Sequence, residues 1–143
     1  MGAKITKMPK LPDPRLLQSE MVTAMEETTE FAKEAIVDVV ETSGTDREWS
    51  RPWYGRSGSG RGRVDTGEMR DSVKAQTSNA GDVIYGNVGW LDGDPEHARF
   101  QELGFRHYLT GQMIEGMHAL SSVRDEVYQE FASNALNAIR RSL

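Results

Sequence analysis

The sequence predicts an α+β domain, in which a long N-terminal helix and a C-terminal helix pack on a small antiparallel β-sheet. Three observations predict this class. Apolar residues recur at steps of three and four over residues 13–42, and they do so again over residues 118–142. Between these helical segments, two short runs rich in β-forming residues flank a glycine-containing turn. The chain has 143 residues, which is the length of one domain, and we assign this domain to residues 13–143.

Composition excludes several classes of protein. Cysteine is absent, so disulfides, zinc–thiolate sites and thiol catalysis are excluded. No apolar stretch exceeds a few residues, so we expect no membrane-spanning helix. The net charge of −5 argues against a general nucleic-acid coat protein.

The first 12 residues are expected to form an extended arm that precedes the domain. Prolines disfavour a regular helix there, and three lysines keep the segment solvated. No apolar stretch follows the lysines, so we expect no secretory signal peptide.

The first helix is predicted over residues 13–42. Asp13 is suited to cap this helix, and Pro14 is suited to its first position, where a missing N–H costs nothing. Gly44 can provide a left-handed C-cap. The predicted buried stripe consists of Leu17, Met21, Met25, Thr28, Ala32, Ala35, Ile36 and Val39. Roughly thirty helical residues span about 45 Å, so the helix either crosses its own sheet or reserves a face for another subunit.

A long Arg/Gly-rich loop is predicted at residues 45–63. Residues 47–63 contain five arginines and one glutamate, a local net charge of +4, which leaves −9 on the other 126 residues. We interpret the loop as a subunit or partner interface, because aromatic residues and arginine are favoured there. The alternative is contact with DNA phosphates and bases. The candidate interface residues are Trp49, Trp53, Tyr54, Arg56, Arg61 and Arg63.

A short helix and a β-hairpin are predicted to follow the loop. Asp65 or Thr66 can cap one or two helical turns. The hairpin strands are predicted at residues 73–77 and 83–90, joined by the turn at 80–82.

Glycines mark two further features of the predicted fold. Gly86 and Gly89 lie within the second strand, which indicates a bulge or the close approach of another element. A short helix is predicted over residues 95–104, ending at Gly104, and an extended piece at residues 105–109 follows it.

The C-terminal helix is predicted over residues 118–142, and the segment at residues 113–119 is ambiguous. Two arginines suit the C-terminus of the helix, where the helix dipole is negative. The predicted core face consists of Leu120, Val123, Val127, Phe131, Ala135 and Ile139.

The sequence contains no recognisable catalytic or metal-binding constellation. The histidines at positions 97, 107 and 118 do not have the close spacing of a metal-binding motif. No GxSxG or P-loop pattern is present, so neither a nucleophile nor a nucleotide-binding loop is indicated. We therefore expect no cofactor, no metal and no enzymatic activity.

Two motifs resemble those of the minor tail and neck proteins of tailed bacteriophages. Residues 65–73 (DTGEMRDSV) resemble the family signature DTG-x-L-R-x-S. Residues 97–104 (HARFQELG) resemble the later motif YA-x-x-x-E-x-G, with His97 in place of the tyrosine. In that family, a long helix precedes the signature, and a hairpin and a C-terminal helix follow it. The positions that we assign to the motifs as structural residues are Asp65, Thr66, Gly67, Ser72, Glu102 and Gly104.

The resemblance implies a virion structural protein at the head–tail junction or at the top of a long non-contractile tail. It implies a homo-oligomer, a ring of six copies, with neck and tail-tube proteins as neighbours and genomic DNA passing through. Such a protein acts in the virion and, during assembly, in the host cytoplasm. Head–tail joining, tail completion and tail termination remain open, and a small DNA-binding module that uses the basic loop is the alternative.

Overall fold

The computed structural model describes residues 10–42, 48–51, 56–59, 68–92, 98–106, 111 and 113–143. The helices in these ranges are α1 (Pro14–Thr42), α2 (Glu68–Asp71), α3 (Ala98–Leu103), α4 (Ala119–Ser122) and α5 (Arg124–Ser142). The strands are β1 (Glu48–Arg51), β2 (Arg56–Ser59), β3 (Lys74–Ala80), β4 (Val83–Gly89), β5 (Gly104–Arg106) and β6 (Met113–Glu115). The strands form three antiparallel pairs, β1–β2, β3–β4 and β5–β6. The predicted α+β class is confirmed, while residues 1–9 of the predicted arm lie outside the described residues.

Helix α1 begins where the sequence predicts. The Asp13 carboxylate accepts hydrogen bonds from the backbone N–H groups of Arg15 and Leu16, at 2.9 and 3.1 Å. These bonds satisfy two of the donors that a helix N-terminus leaves without a helical partner, and Pro14 occupies the first helical position. The predicted C-cap, Gly44, lies outside the described residues. The 29 residues of α1 contact α2, α4, α5 and both strands of the β3–β4 hairpin.

Helices α1 and α5 pack side by side in antiparallel directions. The backbone N–H of Asp13 donates to the carbonyl of Ser142 at 3.0 Å, which joins the start of α1 to the end of α5. About two turns further along α1, Glu20 accepts a hydrogen bond from Arg141 at 2.6 Å. This pairing therefore brings the two ends of the domain together.

Small side chains form the contact between these two helices. Thr28 on α1 and Asn134 on α5 are both buried, and Asn134 Nδ2 donates to Thr28 Oγ1 at 3.1 Å. Thr28 Oγ1 in turn donates to the carbonyl of Ala24 at 2.7 Å, so both polar side chains have partners. The buried residues of the two helices are Ala24, Thr28, Thr29, Ala32, Ile36, Val40, Asn134, Ala138 and Ser142.

The predicted core face of the C-terminal helix is partly wrong. Val123 is buried, but Leu120 and Ile139 are 41% and 40% exposed. Val127, Phe131 and Ala135 are half-buried, whereas in the second half of the helix the buried positions are Asn134, Ala138 and Ser142, so the buried stripe there is displaced by one residue from the predicted one. Asn134 and Ala138 lie toward α1, because their small side chains permit a close approach of the two helices.

A larger apolar cluster lies beside the second half of α1. The other residues of this cluster come from just before the β3–β4 hairpin and from α4 and the residues next to it. The partly buried residues Val88 and Trp90, at the end of the hairpin, pack against this cluster. Its buried members are Ile36, Val40, Val73, Met117, Ala119 and Val123. This cluster fixes α1, the hairpin and α4 to one another.

The β3–β4 hairpin approaches α1 closely at Gly86. Gly86 lies opposite Thr77 in the hairpin, and the hydroxyl groups of Thr77 and Thr29 are 3.4 Å apart. A Cβ atom added at Gly86 would lie 2.6 Å from both Met25 Sδ and Thr29 Cγ2. The close approach that the sequence predicts at this glycine is therefore confirmed.

Two predicted segments differ from the structure. Within the predicted loop at residues 45–63, β1 and β2 form a short antiparallel pair, and the other residues of the predicted loop lie outside the described residues. The C-terminal helix is interrupted at Val123, which separates α4 from α5. The hydroxyl groups of Ser121 and Ser122 donate back to the carbonyls three residues earlier, and such bonds compete with helix geometry.

Substitution of Asn134 by alanine tests the contact between α1 and α5. We expect Asn134→Ala to lower the free energy of unfolding by about 1–2 kcal/mol, because the buried Thr28 hydroxyl loses its donor and a small void remains. Urea denaturation followed by circular dichroism measures the change. Asn137→Ala, at an exposed position of the same helix, is the matched control and is expected to change it by less than about 0.5 kcal/mol. Equal losses for the two variants would contradict this account of the contact.

Candidate functional site

The structure describes five of the twelve residues that the sequence marks as functional. Trp53, Tyr54, Arg61, Arg63, Asp65, Thr66 and Gly67 lie outside the described residues. Trp49 lies in β1 and Arg56 in β2. Ser72 follows α2, while Glu102 and Gly104 lie at the junction of α3 and β5. The structure therefore describes only a part of each motif and a part of the basic segment.

The β1–β2 hairpin gathers basic positions on one of its faces. In its register, Trp49 lies opposite Gly58 and Arg51 lies opposite Arg56. Residues two apart on a strand share a face, so positions 49, 51, 56 and 58 belong to the same face. The sequence-predicted interface omitted Arg51, and the alternating strand pattern is the signal that would have included it.

Glu102 caps helix α4 from a distant part of the chain. Its two carboxylate oxygens accept hydrogen bonds from the backbone N–H groups of Ala119 and Leu120, each at 2.9 Å. The residue that precedes α4, His118, has a left-handed backbone with φ of 50° and makes no side-chain cap. Glu102 supplies the missing acceptor, and its negative charge is favourable at a helix N-terminus.

Backbone contacts fix Glu102 in this position. The carbonyls of Gln101 and Glu102 accept hydrogen bonds from the N–H groups of Met117 and His118, at 2.9 and 3.2 Å. Gly104 has φ of +87°, a conformation that ends α3 and that favours glycine. A Cβ atom at Gly116 would collide with the backbone of residues 102–104. The E-x-G motif therefore has a structural role, in which its glutamate and glycine join α3 to α4.

The end of the first motif is fastened to the hairpin and to α1. The Met69 carbonyl accepts hydrogen bonds from the Trp90 indole N–H at 2.8 Å and from the Ser72 hydroxyl at 3.3 Å. Arg70 lies 3.6 Å from the Glu41 carboxylate of α1. Sequence analysis had not identified Trp90 or Glu41 as partners of this motif, because both are distant from it in the chain.

Arg70 also perturbs the titration of its neighbour. Arg70 Nε donates to the Asp71 carboxylate at 2.8 Å, and this hydrogen bond lowers the pKa of Asp71 below its usual value of 3.8. The same hydrogen bond raises the pKa of Arg70. A pKa that is lowered on folding contributes stability above the unfolded-state pKa, and this contribution is lost as the pH falls. Both groups are exposed, so the effect is local and weak.

The side of α5 that faces away from α1 carries apolar residues. We call Tyr128, Leu136, Ile139 and Leu143 the outer face of α5; their exposed fractions are 60%, 54%, 40% and 42%. Apolar residues occur in adjacent pairs along this helix, such as Val127–Tyr128 and Ala138–Ile139. Because neighbouring residues point about 100° apart, one partner helix cannot cover both members of each pair. The pairs are the sequence signal for a second apolar face.

The described residues offer little for catalysis or for a bound ion. Among them, no three His, Cys, Asp or Glu side chains lie close enough together to hold a metal ion. No helix in the described ranges is long and apolar enough to cross a membrane. Two surface features of the described structure are the β1–β2 hairpin and the outer face of α5.

Comparison of the chain with protein-family models, with curated proteins and with solved structures finds no match. The similarity to phage neck and tail proteins therefore rests on the two sequence motifs and their order along the chain.

Substitution of Glu102 tests its role as a cap. We expect Glu102→Ala to lower the free energy of unfolding by about 1–2 kcal/mol, because two backbone donors of α4 lose their acceptor. Chemical denaturation measures this change. Arg99→Ala is the control, since Arg99 is exposed on the same short helix. An unchanged stability in Glu102→Ala would show that water replaces the carboxylate without cost.

Proposed function

We propose that this protein is a non-enzymatic structural subunit of a tailed-phage virion. In this proposal, it forms a ring, of six copies, at the head–tail junction or at the top of the tail. The observation that carries the proposal is the outer face of α5, where four large apolar side chains remain exposed on a single chain. A cluster of this kind on a soluble domain indicates a surface that another protein covers.

A ring of identical subunits accounts for two different surfaces on one chain. In a closed ring, each copy contacts the next through unlike patches. The outer face of α5 and the basic β1–β2 hairpin are unlike in chemistry, one apolar and the other rich in arginine. These surfaces are therefore suited to contacts with neighbouring copies and with the adjacent neck and tail-tube proteins.

The two motifs support the choice of a phage neck or tail ring over other assemblies. Their order along the chain follows the family pattern, with the long helix first and the C-terminal helix last. The local structure of the second motif also gives a reason for its glutamate and its last glycine, because both join α3 to α4.

The distribution of charge suits a ring through which DNA passes. Outside residues 47–63 the chain carries a net charge of −9. An acidic surface repels DNA phosphates, so DNA slides through such a lumen without adhering to it. The competing proposal is a DNA-binding module, and the face of the β1–β2 hairpin that contains Arg51 and Arg56 is the feature that favours it.

Electron microscopy of a lysate from a virus that lacks this gene tests the function. We expect DNA-filled heads beside separate tails of normal length, because the joining ring is absent. Tails of uncontrolled length would instead assign the protein to tail termination. Intact virions in normal number would contradict the structural proposal and would favour the DNA-binding alternative. Restoration of joined particles by the wild-type gene in trans is the control.

A further inference from the structure

A groove with an apolar floor and an acidic rim lies between α1 and the junction of α4 with α5. Its volume is about 490 Å³. The floor is formed by Phe31, Ala35, Val39 and Val123. The carboxylates of Glu34, Asp38 and Glu126 line its rim, and all three residues are exposed.

The rim carboxylates lack ion-pair partners within the described part of the chain. There, the ion pairs that the structure contains join Arg70, Lys74 and Arg141 to other acidic residues. Three negative charges thus border an apolar surface and form no ion pair with a described cation. When a partner covers the groove and displaces water from these carboxylates, their charges cost free energy unless the partner supplies cations that pair with them.

We infer that this groove binds the basic aromatic segment, residues 47–63, of a neighbouring copy of the chain. This inference rests on the proposed ring and specifies one of its contacts. The segment has a net charge of +4 from its arginines, and it also contains two tryptophans and a tyrosine. Guanidinium groups match carboxylates in geometry, and aromatic rings suit an apolar floor.

The described residues that line the groove belong to the helical part of the domain. They come from α1, from α4 and α5, and from Val123 between α4 and α5. The hairpin strands pack chiefly on each other. Groove and hairpin therefore form two complementary, unlike patches on one subunit, which is the arrangement that a head-to-tail ring requires.

Charge reversal in the full-length chain tests the contact. Asp38→Lys changes the groove, and Arg56→Glu changes the segment. We expect each variant to need about a tenfold higher protein concentration for assembly than the wild type, measured by sedimentation velocity at low ionic strength. Asp82→Lys and Arg99→Glu make the same charge changes at exposed positions elsewhere and are expected to assemble like the wild type.

An equimolar mixture of Asp38→Lys and Arg56→Glu tests whether the contact joins different copies. In a ring in which the two variants alternate, each groove that carries Asp38→Lys meets a segment that carries Arg56→Glu. Each unchanged groove then meets an unchanged segment. We therefore expect the mixture to assemble at nearly the wild-type concentration. Recovery in the doubly substituted chain but not in the mixture would place the segment in its own groove and overturn the inference.

Three further outcomes would also overturn it. Normal assembly of both single variants would show that the groove is not a contact, and a wild-type protein that stays monomeric would show that no second copy binds. Rescue of Asp38→Lys by Lys7→Glu in the mixture, in place of Arg56→Glu, would make the N-terminal arm the occupant. These results are independent of the lysate phenotype, so a failed groove contact and a failed phage function are distinguishable.

Discussion

The close packing of α1 against two neighbours is the constraint on which the rest of the structure depends. On one side, Thr28 and Asn134 meet in a buried hydrogen bond between two helices that approach through small side chains. On the other side, Gly86 lets the β3–β4 hairpin approach Met25 and Thr29. Neither contact tolerates bulk, because interiors are packed at the density of organic crystals.

This constraint determines which residues of α5 are left for other proteins. Since the small residues of α5 face α1, the large ones remain on the opposite side, at Tyr128, Leu136, Ile139 and Leu143. The same packing leaves an open groove beside Val123, where α4 and α5 meet α1. The surfaces that we propose for assembly therefore follow from how the core is built.

Local signals in the sequence predict local features of the structure well. The Asp13–Pro14 pair predicts the start of α1, and Gly86 predicts a close approach because a glycine in a strand leaves space. The buried face in the second half of α5 could not be predicted, because its apolar residues cover about half of the circumference and polar Asn134 is buried by its partner Thr28. Likewise, the partners of Glu102 lie 17 and 18 residues away, where no spacing rule applies. The β1–β2 hairpin was missed because its glycines and serines are typical of a loop.

The most direct test of the central claim measures the accessibility of the outer face of α5 before and after assembly. The chain contains no cysteine, so Leu136→Cys gives a single site for a maleimide label, and Ser133→Cys, on the polar side of α5, gives the control. The account predicts that Cys at position 136 reacts fully in the dilute protein and is protected in purified virions, while Cys at position 133 reacts in both. Equal labelling of position 136 in the two states would show that no protein covers this face and would contradict the account.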